Sequence, residues 1–408
     1  MQTALADFIR DTPQGIEADA VLRTCVHCGM CNATCPTYQL LGDELDGPRG
    51  RIYLIKQMLE GATVTRNTLT HLDRCLTCRN CETTCPSGVQ YHKLLDIGRQ
   101  LAEQKVERSR FDRLKRRLLR AIIPYPARFT PLLRLGQLVR PLLPPFLKRS
   151  VPPRQSAEPW PATAHARTML VLEGCAQPAI APNINAATAR VLDRLGIRLI
   201  AASGAGCCGA ASHHTSGVEQ GLDFARRNID AWWPHVEAGA EAIVMTASGC
   251  GVHVKEYGQL LKDDRDYAAR AGKISTLTKD LSEILACEEL SKLSAGAKPG
   301  IKVAFHAPCS LQHGQKLNGV VEKILGATGL NLVAVPEAHL CCGSAGTYSL
   351  LQQELSQRLL RNKVGALESG GPDVIATANI GCLAHIQSGT KLPVRHWIEL
   401  LDTSFSPR

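Results

Sequence analysis

A twelve-residue cysteine pattern occurs twice near the start of the chain, and it constrains the fold more than any other feature. CVHCGMCNATCP (25–36) recurs as CLTCRNCETTCP (75–86), fifty residues later. Both copies read C-x2-C-x2-C-x3-C followed by proline. Three cysteines spaced in this way wrap a tight loop around one metal cluster, and the fourth, turned away by the proline, reaches the neighbouring cluster. The pattern therefore predicts two metal centres that exchange ligands between the two copies.

The spacing predicts [4Fe–4S] clusters at both centres. Four-cysteine zinc sites are the alternative, but they usually combine two well-separated C-x2-C pairs. We assign Cys25, Cys28, Cys31 and Cys85 to one cluster. We assign Cys75, Cys78, Cys81 and Cys35 to the other. Two clusters held so close together suit the relay of single electrons.

The seventeen cysteines of this 408-residue chain are better explained by metal binding than by disulfides. The opening residues, MQTALADFIRDTPQG, contain no apolar stretch typical of a secretory signal. Without export, clustered thiols are typical of metal-binding or catalytic sites. Since no run of 18 apolar residues occurs, we expect no membrane-spanning helix.

The net charge of +10 is concentrated in one segment. Residues 105–154 contain fourteen Lys or Arg and two acids, Glu107 and Asp112. The stretch FDRLKRRLLRAII (111–123) has the spacing of a basic amphipathic helix, which favours an anionic membrane surface or a partner subunit. An interdomain arm with solvated charges is the plain alternative. Nucleic-acid binding also needs positive charge, but nothing else in the sequence supports it.

A second repeat follows the basic segment. Cys175, the pair Cys207–Cys208 and Cys250 recur as Cys309, the pair Cys341–Cys342 and Cys382. Each of these cysteines comes just after an apolar, strand-like run, at 168–174, 197–203, 241–248, 302–308, 330–336 and 373–380. The carboxyl ends of parallel strands lie along one edge of a sheet, so we expect each set of four to converge there.

The loop SGAGCCGAAS (203–212) has two interpretations. Gly204, Gly206 and Gly209 spell the G-x-G-x-x-G of a dinucleotide-binding turn. The second copy, AHLCCGSAG (338–346), keeps Cys–Cys–Gly and lacks the two leading glycines. We therefore interpret the loop as a turn that presents two cysteines to a metal or cluster. Buried cysteines that merely pack as small hydrophobes remain the alternative.

These motifs together resemble a known family. Two-cluster ferredoxin motifs followed by paired "CCG" cysteine-rich domains are similar to the iron–sulfur subunits that serve flavin dehydrogenases. TCPTYQLLGDELDGPRGRIYLIKQ, HLDRCLTCRNCETTCPSGVQYHKLLDIGR, NIDAWWPHVEAGAEAI and VRHWIEL resemble in particular the glycolate oxidase iron–sulfur subunits of bacteria. We expect an α+β multidomain protein, with a small helical two-[4Fe–4S] ferredoxin-like domain (1–104) and a basic Pro/Leu-rich linker (105–165). Two CCG cysteine-rich α/β domains with parallel sheets (166–295 and 296–408) would follow.

The resemblance implies an oxidoreductase complex in which this chain transfers electrons. A partner flavin subunit would oxidise glycolate to glyoxylate, and this chain would pass the electrons toward a quinone. No FAD or NAD is expected on this chain, and no catalytic residue. A cytoplasmic location, peripheral to the inner face of the cell membrane, would follow. Lactate or glycerol-3-phosphate complexes, a heterodisulfide-reductase-like thiol–disulfide enzyme and a zinc-stapled scaffold remain alternatives.

The ends of the two repeats depart from the heterodisulfide-reductase members of the family. Those members end each domain in C-x-x-C, whereas His253 and His385 stand here at the last position. Since imidazole also binds iron or zinc, each set holds a cluster, a zinc ion or nothing. His306, His313 and His339 we interpret as structural. Arg49 and Arg51, in a basic helix predicted to cover a cluster, either contact clusters or partners or are solvated surface charges.

Overall fold

The computed structural model describes residues 1–144, 148, 151–296 and 300–402. Residues 145–147, 149 and 150 of the predicted basic linker, and 297–299 and 403–408 of the second repeat, lie outside the described residues. The chain divides into two units. Residues 1–117 and 339–359 form the first, which we call the N-terminal unit. Residues 118–338 and 360–408 form the second, the sheet unit. The four-part division expected from the sequence stays a prediction.

The N-terminal unit is helical in its described residues. Its α-helices before residue 118 are Asp7–Arg10, Pro13–Thr24, Pro36–Leu41, Pro48–Leu59, Arg66–Asp73, Asn80–Thr84, Tyr91–Lys105 and the start of Arg110–Ile122. Three of them begin with proline, whose fixed φ suits the first helical position and whose missing N–H is not needed there. Short 3₁₀ turns, Met30–Asn32 and Glu44–Asp46, fill the segments between them.

The core of the N-terminal unit lies between its longer helices. Leu22, Ile55, Leu72, Leu94 and Leu95 are fully buried there. Gly98 allows Tyr91–Lys105 to approach Pro48–Leu59, because a Cβ at this position would lie 2.6 Å from Cγ1 of Ile55. This packing fixes the helices that flank the cysteine loops.

The sheet unit contains two four-stranded parallel sheets, as the α+β prediction required. The first has the order β2-β1-β3-β4, with β1 Arg167–Val171, β2 Ile197–Ala201, β3 Ile243–Met245 and β4 Thr278–Asp280. The second has the order β6-β5-β7-β8, with β5 Lys302–His306, β6 Asn331–Val333, β7 Val374–Thr377 and β8 Val394–His396. The two sheets have the same strand order, which confirms the internal repeat of this half of the chain.

Helices connect the strands in both repeats. In the first repeat they are Gln177–Ile180, Asn183–Arg194, Ala210–His213, Val218–Glu237, Ser248–Lys255, Tyr257–Leu260, Ala268–Leu277 and Leu281–Leu285. In the second they are Val320–Ala327, Tyr348–Leu351, Gln353–Glu368 and Ile380–Gly389, with the π-turn Ser310–Gly314. Further 3₁₀ turns are Leu290–Gly296 and Trp397–Leu400.

Strands β4 and β8 escape sequence analysis because they are three residues long and partly polar, reading TKD and VRH. Both end on a buried residue, Asp280 or His396, that caps the following helical turn.

The imidazole Nε2 of His396 in the second repeat donates a hydrogen bond to the carbonyl of Thr246 in the first, at 2.8 Å. The hydroxyls of Ser248 and Ser310 lie 2.8 Å apart. The two repeats thus meet through buried polar contacts near the ends of their strands.

The basic linker begins with the predicted helix, which spans Arg110–Ile122 and is followed by Pro126–Val139. Some of its cations are not solvated. Arg108 and Arg116 are almost buried, and both form ion pairs with Asp73, at 2.6 and 2.9 Å. Among the described residues, no helix combines the length and the apolar character that a membrane crossing requires.

Candidate metal centres

The eight cysteines of the N-terminal motifs line two recesses in the N-terminal unit. The first recess is lined by Cys25, Cys28, Cys31 and Cys85, and Cys81 also borders it. The second is lined by Cys35, Cys75, Cys78 and Cys81. In each recess three cysteines come from one motif and one from the other. Cys35 and Cys85 therefore lie opposite the motif to which they do not belong.

The two copies meet at equivalent residues. The hydroxyls of Thr34 and Thr84, which precede the fourth cysteine of each motif, lie 3.1 Å apart. The loops also share an unusual backbone. His27 and its counterpart Thr77 have φ of 61° and 56°, and Gly29 and Arg79 have 83° and 60°. Non-glycine residues adopt such angles only where surrounding structure demands it. Left-handed residues of this kind turn backbone N–H groups toward an anion.

Without a bound metal, two of the thiols of the recesses keep their protons at neutral pH. Burial and the neighbouring Cys25 raise the pKa of the Cys31 thiol to about 11. Burial and the nearby sulfur of Cys78 raise the pKa of Cys81 well above 9.0. A bound metal ion removes such protons outright, because its charge stabilises the thiolates. Two recesses with four thiols each, closed by turned backbone, thus fit [4Fe–4S] clusters.

Arg51 is buried and Arg49 is not. Arg51 is 1% exposed and donates hydrogen bonds to the carbonyl of His71 (2.7 Å) and to the hydroxyl of Thr37. Its interpretation as a solvated surface charge is wrong, because the helix Pro48–Leu59 presents it to the second recess. Arg49 lies at the first recess, half-exposed, in an ion pair with Glu44.

The four cysteines of the first repeat do converge in the sheet unit. Their thiols interact in the order Cys175, Cys207, Cys208, Cys250. The hydrogen bond with Cys207, followed by burial, raises the pKa of Cys175 well above 9.0. For Cys207, the bond with Cys175 opposes the rise, yet the bond with Cys208 and burial bring its pKa to about 12. This row of thiols, buried at Cys207 and Cys208 and partly buried at Cys175 and Cys250, is a candidate site for a cluster or a zinc ion.

Two residues that sequence analysis missed hold the Cys–Cys loop in place. The Asn228 side chain accepts a hydrogen bond from the amide of Gly206 (2.9 Å) and donates one to the carbonyl of Cys207 (2.9 Å). The hydroxyl of Tyr257 donates to the carbonyl of Cys208 at 2.7 Å. Both side chains are fully buried. A buried asparagine within a helix is a weak sequence signal, since its partners are known only after folding.

The glycine after each cysteine pair is required by its backbone. Gly209 has φ of +96°, and a Cβ there would lie 2.5 Å from the carbonyl oxygen of Gly221. Gly343 has φ of +89°, and its Cβ would lie 2.7 Å from the carbonyl of Ser356. In both repeats the glycine amide donates to the first sulfur of the pair, at 3.4 Å. The Cys–Cys–Gly motif is thus a tight turn that holds a thiol.

His253 lies one helical turn after Cys250, on Ser248–Lys255, and is buried. Its ring packs with those of His213 and His214, at centroid distances of 5.4 and 6.0 Å, and with Tyr257 at 5.9 Å. Sequence analysis did not single out His213 and His214. The role of His253 as a ligand stays a prediction.

The predicted ligands of the second repeat are divided between the units. Cys341 and Cys342 belong to the N-terminal unit, and Cys309, Cys382 and His385 belong to the sheet unit. Their convergence stays a prediction. Within the sheet unit, a ring nitrogen of His306 lies within 4.8 Å of the Cys382 sulfur. Both nitrogens of His306 are buried and have no hydrogen-bond partner among the described residues. His306, interpreted from sequence as structural, is therefore a further candidate ligand.

Comparison with known protein families defines the class. A 4Fe-4S dicluster domain matches residues 21–89, and a cysteine-rich domain, CCG, matches residues 169–255 and 303–387. The chain is therefore an iron–sulfur protein that joins a ferredoxin-type dicluster domain to two cysteine-rich domains.

The relatives are more specific. The glycolate oxidase iron–sulfur subunit of Escherichia coli (strain K12) is 58% identical over 403 residues, 98% of each chain. The probable glycolate oxidase iron–sulfur subunit of Bacillus subtilis (strain 168) is 28% identical over 90% of this chain and 89% of its own length. Lactate utilization protein A of Bacillus licheniformis is 28% identical over 54% of this chain and 93% of its own length. The chain belongs to the family of glycolate oxidase iron–sulfur subunits, which confirms the resemblance inferred from its motifs.

Proposed function

We propose that this chain is the electron-transfer subunit of a glycolate oxidase complex. The observation that carries the proposal is the pair of recesses, each lined by four cysteines drawn from both motifs. Cys25, Cys28, Cys31 and Cys85 would hold one [4Fe–4S] cluster, and Cys35, Cys75, Cys78 and Cys81 the other. Each cluster accepts and releases one electron when bound. The chain buries Cys25, Cys35, Cys75 and Cys81 and leaves Cys28 exposed.

Anaerobic purification followed by iron, sulfide and zinc analysis tests this proposal. We expect about eight irons in two clusters, with EPR signals after reduction. Cys35→Ser should perturb the signal of the cluster held by the second motif, and Cys85→Ser that of the first. Zinc without EPR signals would overturn the proposal. The reverse pattern in the two variants would overturn the exchange of ligands between motifs.

Glycolate, a 2-hydroxy acid, would be oxidised on a partner flavin subunit, and a quinone would accept the electrons. Glycolate is favoured over lactate because the E. coli relative matches 98% of this chain, whereas the lactate utilization protein of Bacillus licheniformis matches 54%. Co-purification of the full chain with a flavoprotein that reduces it on addition of glycolate, and not lactate, is the decisive measurement. Reduction by lactate alone would favour the alternative, a lactate dehydrogenase complex.

The cysteine-rich domains would hold additional groups. Cys175, Cys207, Cys208 and Cys250, with His253, are the candidate ligands in the first domain. Cys309, Cys341, Cys342 and Cys382, with His385, are those in the second. The row of interacting thiols in the first domain supports this proposal. Iron substantially above eight per chain, or zinc beside eight irons, would identify the group; metal equal to two clusters alone would contradict it.

The second helix of the basic linker would bring the chain to the inner face of the cell membrane. On Pro126–Val139 and the turn after it, Leu132, Leu135, Leu138 and Leu142 are spaced three or four residues apart, and all are exposed. Arg128, Arg134 and Arg140 accompany them. Leucines at helical spacing among cations are typical of a surface helix that binds anionic lipid. Co-sedimentation with anionic vesicles measures this contact.

A further inference from the structure

The second recess is surrounded by more buried positive charge than the first. Arg51 lines it and cannot lose its proton under any ordinary condition. Its guanidinium bonds to the Thr37 hydroxyl at 3.1 and 3.2 Å, and that hydroxyl lies 3.3 Å from the sulfur of Cys35. Since Arg51 is 1% exposed, water screens its charge poorly.

The carboxylate beside Arg51 does not cancel this charge. Asp46, fully buried, lies 3.4 Å from Arg51, 2.8 Å from Arg74 and 3.0 Å from the Nδ1 atom of His71. One negative charge is thus shared between two guanidinium groups. Two guanidinium groups and one carboxylate, those of Arg51, Arg74 and Asp46, leave a net positive charge next to the recess.

Arg99 adds a second cation beside the second motif. It lies on the helix Tyr91–Lys105 and donates hydrogen bonds to the carbonyl of Cys75 (2.8 Å) and to the hydroxyl of Thr77 (3.1 Å). Two acids also lie near this recess, and each has its own partner. Asp73 pairs with Arg108 and Arg116, and Glu82 lies 2.9 Å from the imidazole of His92.

The first recess has weaker charges. Arg49 is neutralised by Glu44 at 2.5 Å, and both side chains are more than a third exposed. The terminal amine of Met1 donates to the carbonyl of Cys25 at 2.6 Å and is the other cation on this side. Exposed charges are screened by water and salt, whereas buried charges are not.

We propose that Arg51 and Arg99 raise the reduction potential of the cluster held by Cys35, Cys75, Cys78 and Cys81 above that of its neighbour. Reduction adds one negative charge to a cluster, and a buried cation stabilises that charge. The inference rests on the proposed function, since it requires both clusters. Electrons that enter the N-terminal unit from the partner flavin would therefore collect at the second recess.

The segment 339–359 lies against the second motif. The Asn80 amide, next to Cys81, donates to the carbonyl of His339 at 3.2 Å. The hydroxyl of Tyr348 donates to the carbonyl of Arg74, next to Cys75, at 3.1 Å. The same segment contains Cys341 and Cys342. The segment that contains this cysteine pair thus contacts the motif at 75–86, which supplies three of the four cysteines of the second recess.

An EPR-monitored redox titration of the full chain tests the proposal. Cys28→Ser and Cys78→Ser, the second cysteines of the two motifs, assign each signal to its recess. In the wild type the second recess should have the higher midpoint potential. Arg51→Gln should lower that midpoint by at least 59 mV, a tenfold change in the one-electron equilibrium. The midpoint of the first recess should change by less than a third of that shift. Arg51→Lys, which keeps the charge, should leave both midpoints near the wild-type values.

Arg49→Gln is the matched control, because Arg49 lies on the same helix and its charge is already neutralised. It should change neither midpoint by more than a third of the Arg51→Gln shift. If Arg51→Gln does not fold, Arg99→Gln should lower the same midpoint. A second-recess midpoint that neither Arg51→Gln nor Arg99→Gln lowers overturns the inference, whatever the wild-type order. A lower potential at the second recess, with eight irons present, overturns the inference; absence of the clusters overturns the proposed function instead.

Discussion

Asn228→Ala tests whether a buried amide holds the cysteine pair of the first repeat. The asparagine is fully buried, and its side chain makes three hydrogen bonds of 2.9, 2.9 and 3.1 Å, to Gly206, Cys207 and Tyr257. Alanine leaves the backbone groups of Gly206 and Cys207 without these partners, and each such buried group costs about 1–3 kcal/mol. The Tyr257 hydroxyl keeps its bond to Cys208, so its loss is small.

Two unpaired backbone groups at about 1.5 kcal/mol each give a destabilisation of about 3 kcal/mol. The sheet unit spans 118–338 and 360–408, and for domains of about 150–250 residues each kcal/mol lowers the melting temperature by about 2–4 °C. We therefore expect thermal unfolding, followed by circular dichroism at one fixed scan rate, to shift down by about 6–12 °C. The metal content of the Cys207–Cys208 site should fall with it.

Asn362→Ala is the matched control. Asn362 lies on Gln353–Glu368, the helix that follows the cysteine pair in the second repeat, and its side chain is exposed. Exposed substitutions of this kind change the free energy of unfolding by less than about 0.5 kcal/mol. A shift of less than about 2 °C for Asn228→Ala, no larger than that of the control, would show that the loop is held by other contacts.

Two further predictions concern acid stability and membrane binding. Burial lowers the pKa of His396 to about 4 from 6.5, against the opposing hydrogen bond to Thr246. Between pH 4 and 6.5 the unfolded chain binds a proton at this histidine that the folded chain does not. The free energy of unfolding is therefore highest above pH 6.5 and falls by about 3 kcal/mol as the pH approaches 4, since each pKa unit corresponds to about 1.36 kcal/mol. In urea unfolding, His396→Gln should reduce this loss of stability at acid pH, and His235→Gln should not. Equal losses in both variants would show that His396 is not its cause. For the linker, Leu135→Glu with Leu138→Glu should weaken co-sedimentation with anionic vesicles at least tenfold, because each buried leucine contributes about 1.5–3 kcal/mol. Leu350→Glu, an exposed leucine of the N-terminal unit, should have no effect, and undiminished binding of the double variant would assign the leucine face to a partner subunit.

The cysteine spacing alone predicted the chemistry of this protein. Cysteines separated by two positions are held together by the local chain, so each motif by itself specifies three of the four cysteines that line a recess. The fourth, Cys85 or Cys35, is brought in from the other motif by tertiary structure. The repeat of strands and cysteine pairs was visible for a similar reason. Apolar strands of four or five residues are a local signal, whereas three-residue polar strands such as β4 and β8 are specified by their neighbours.

Tertiary structure decided which charges and amides serve those cysteines. Arg49 and Arg51 are two residues apart and indistinguishable in sequence, yet the helix turns one toward Glu44 and water and the other into the interior beside Asp46. Asn228 and Tyr257 reach the Cys207–Cys208 loop from helices twenty and more residues away. Burial and distance set the strength of a charge or a hydrogen bond, and both are properties of the packed chain. The sequence therefore determined which cysteines are candidate ligands, and only the fold decided how each candidate centre is surrounded.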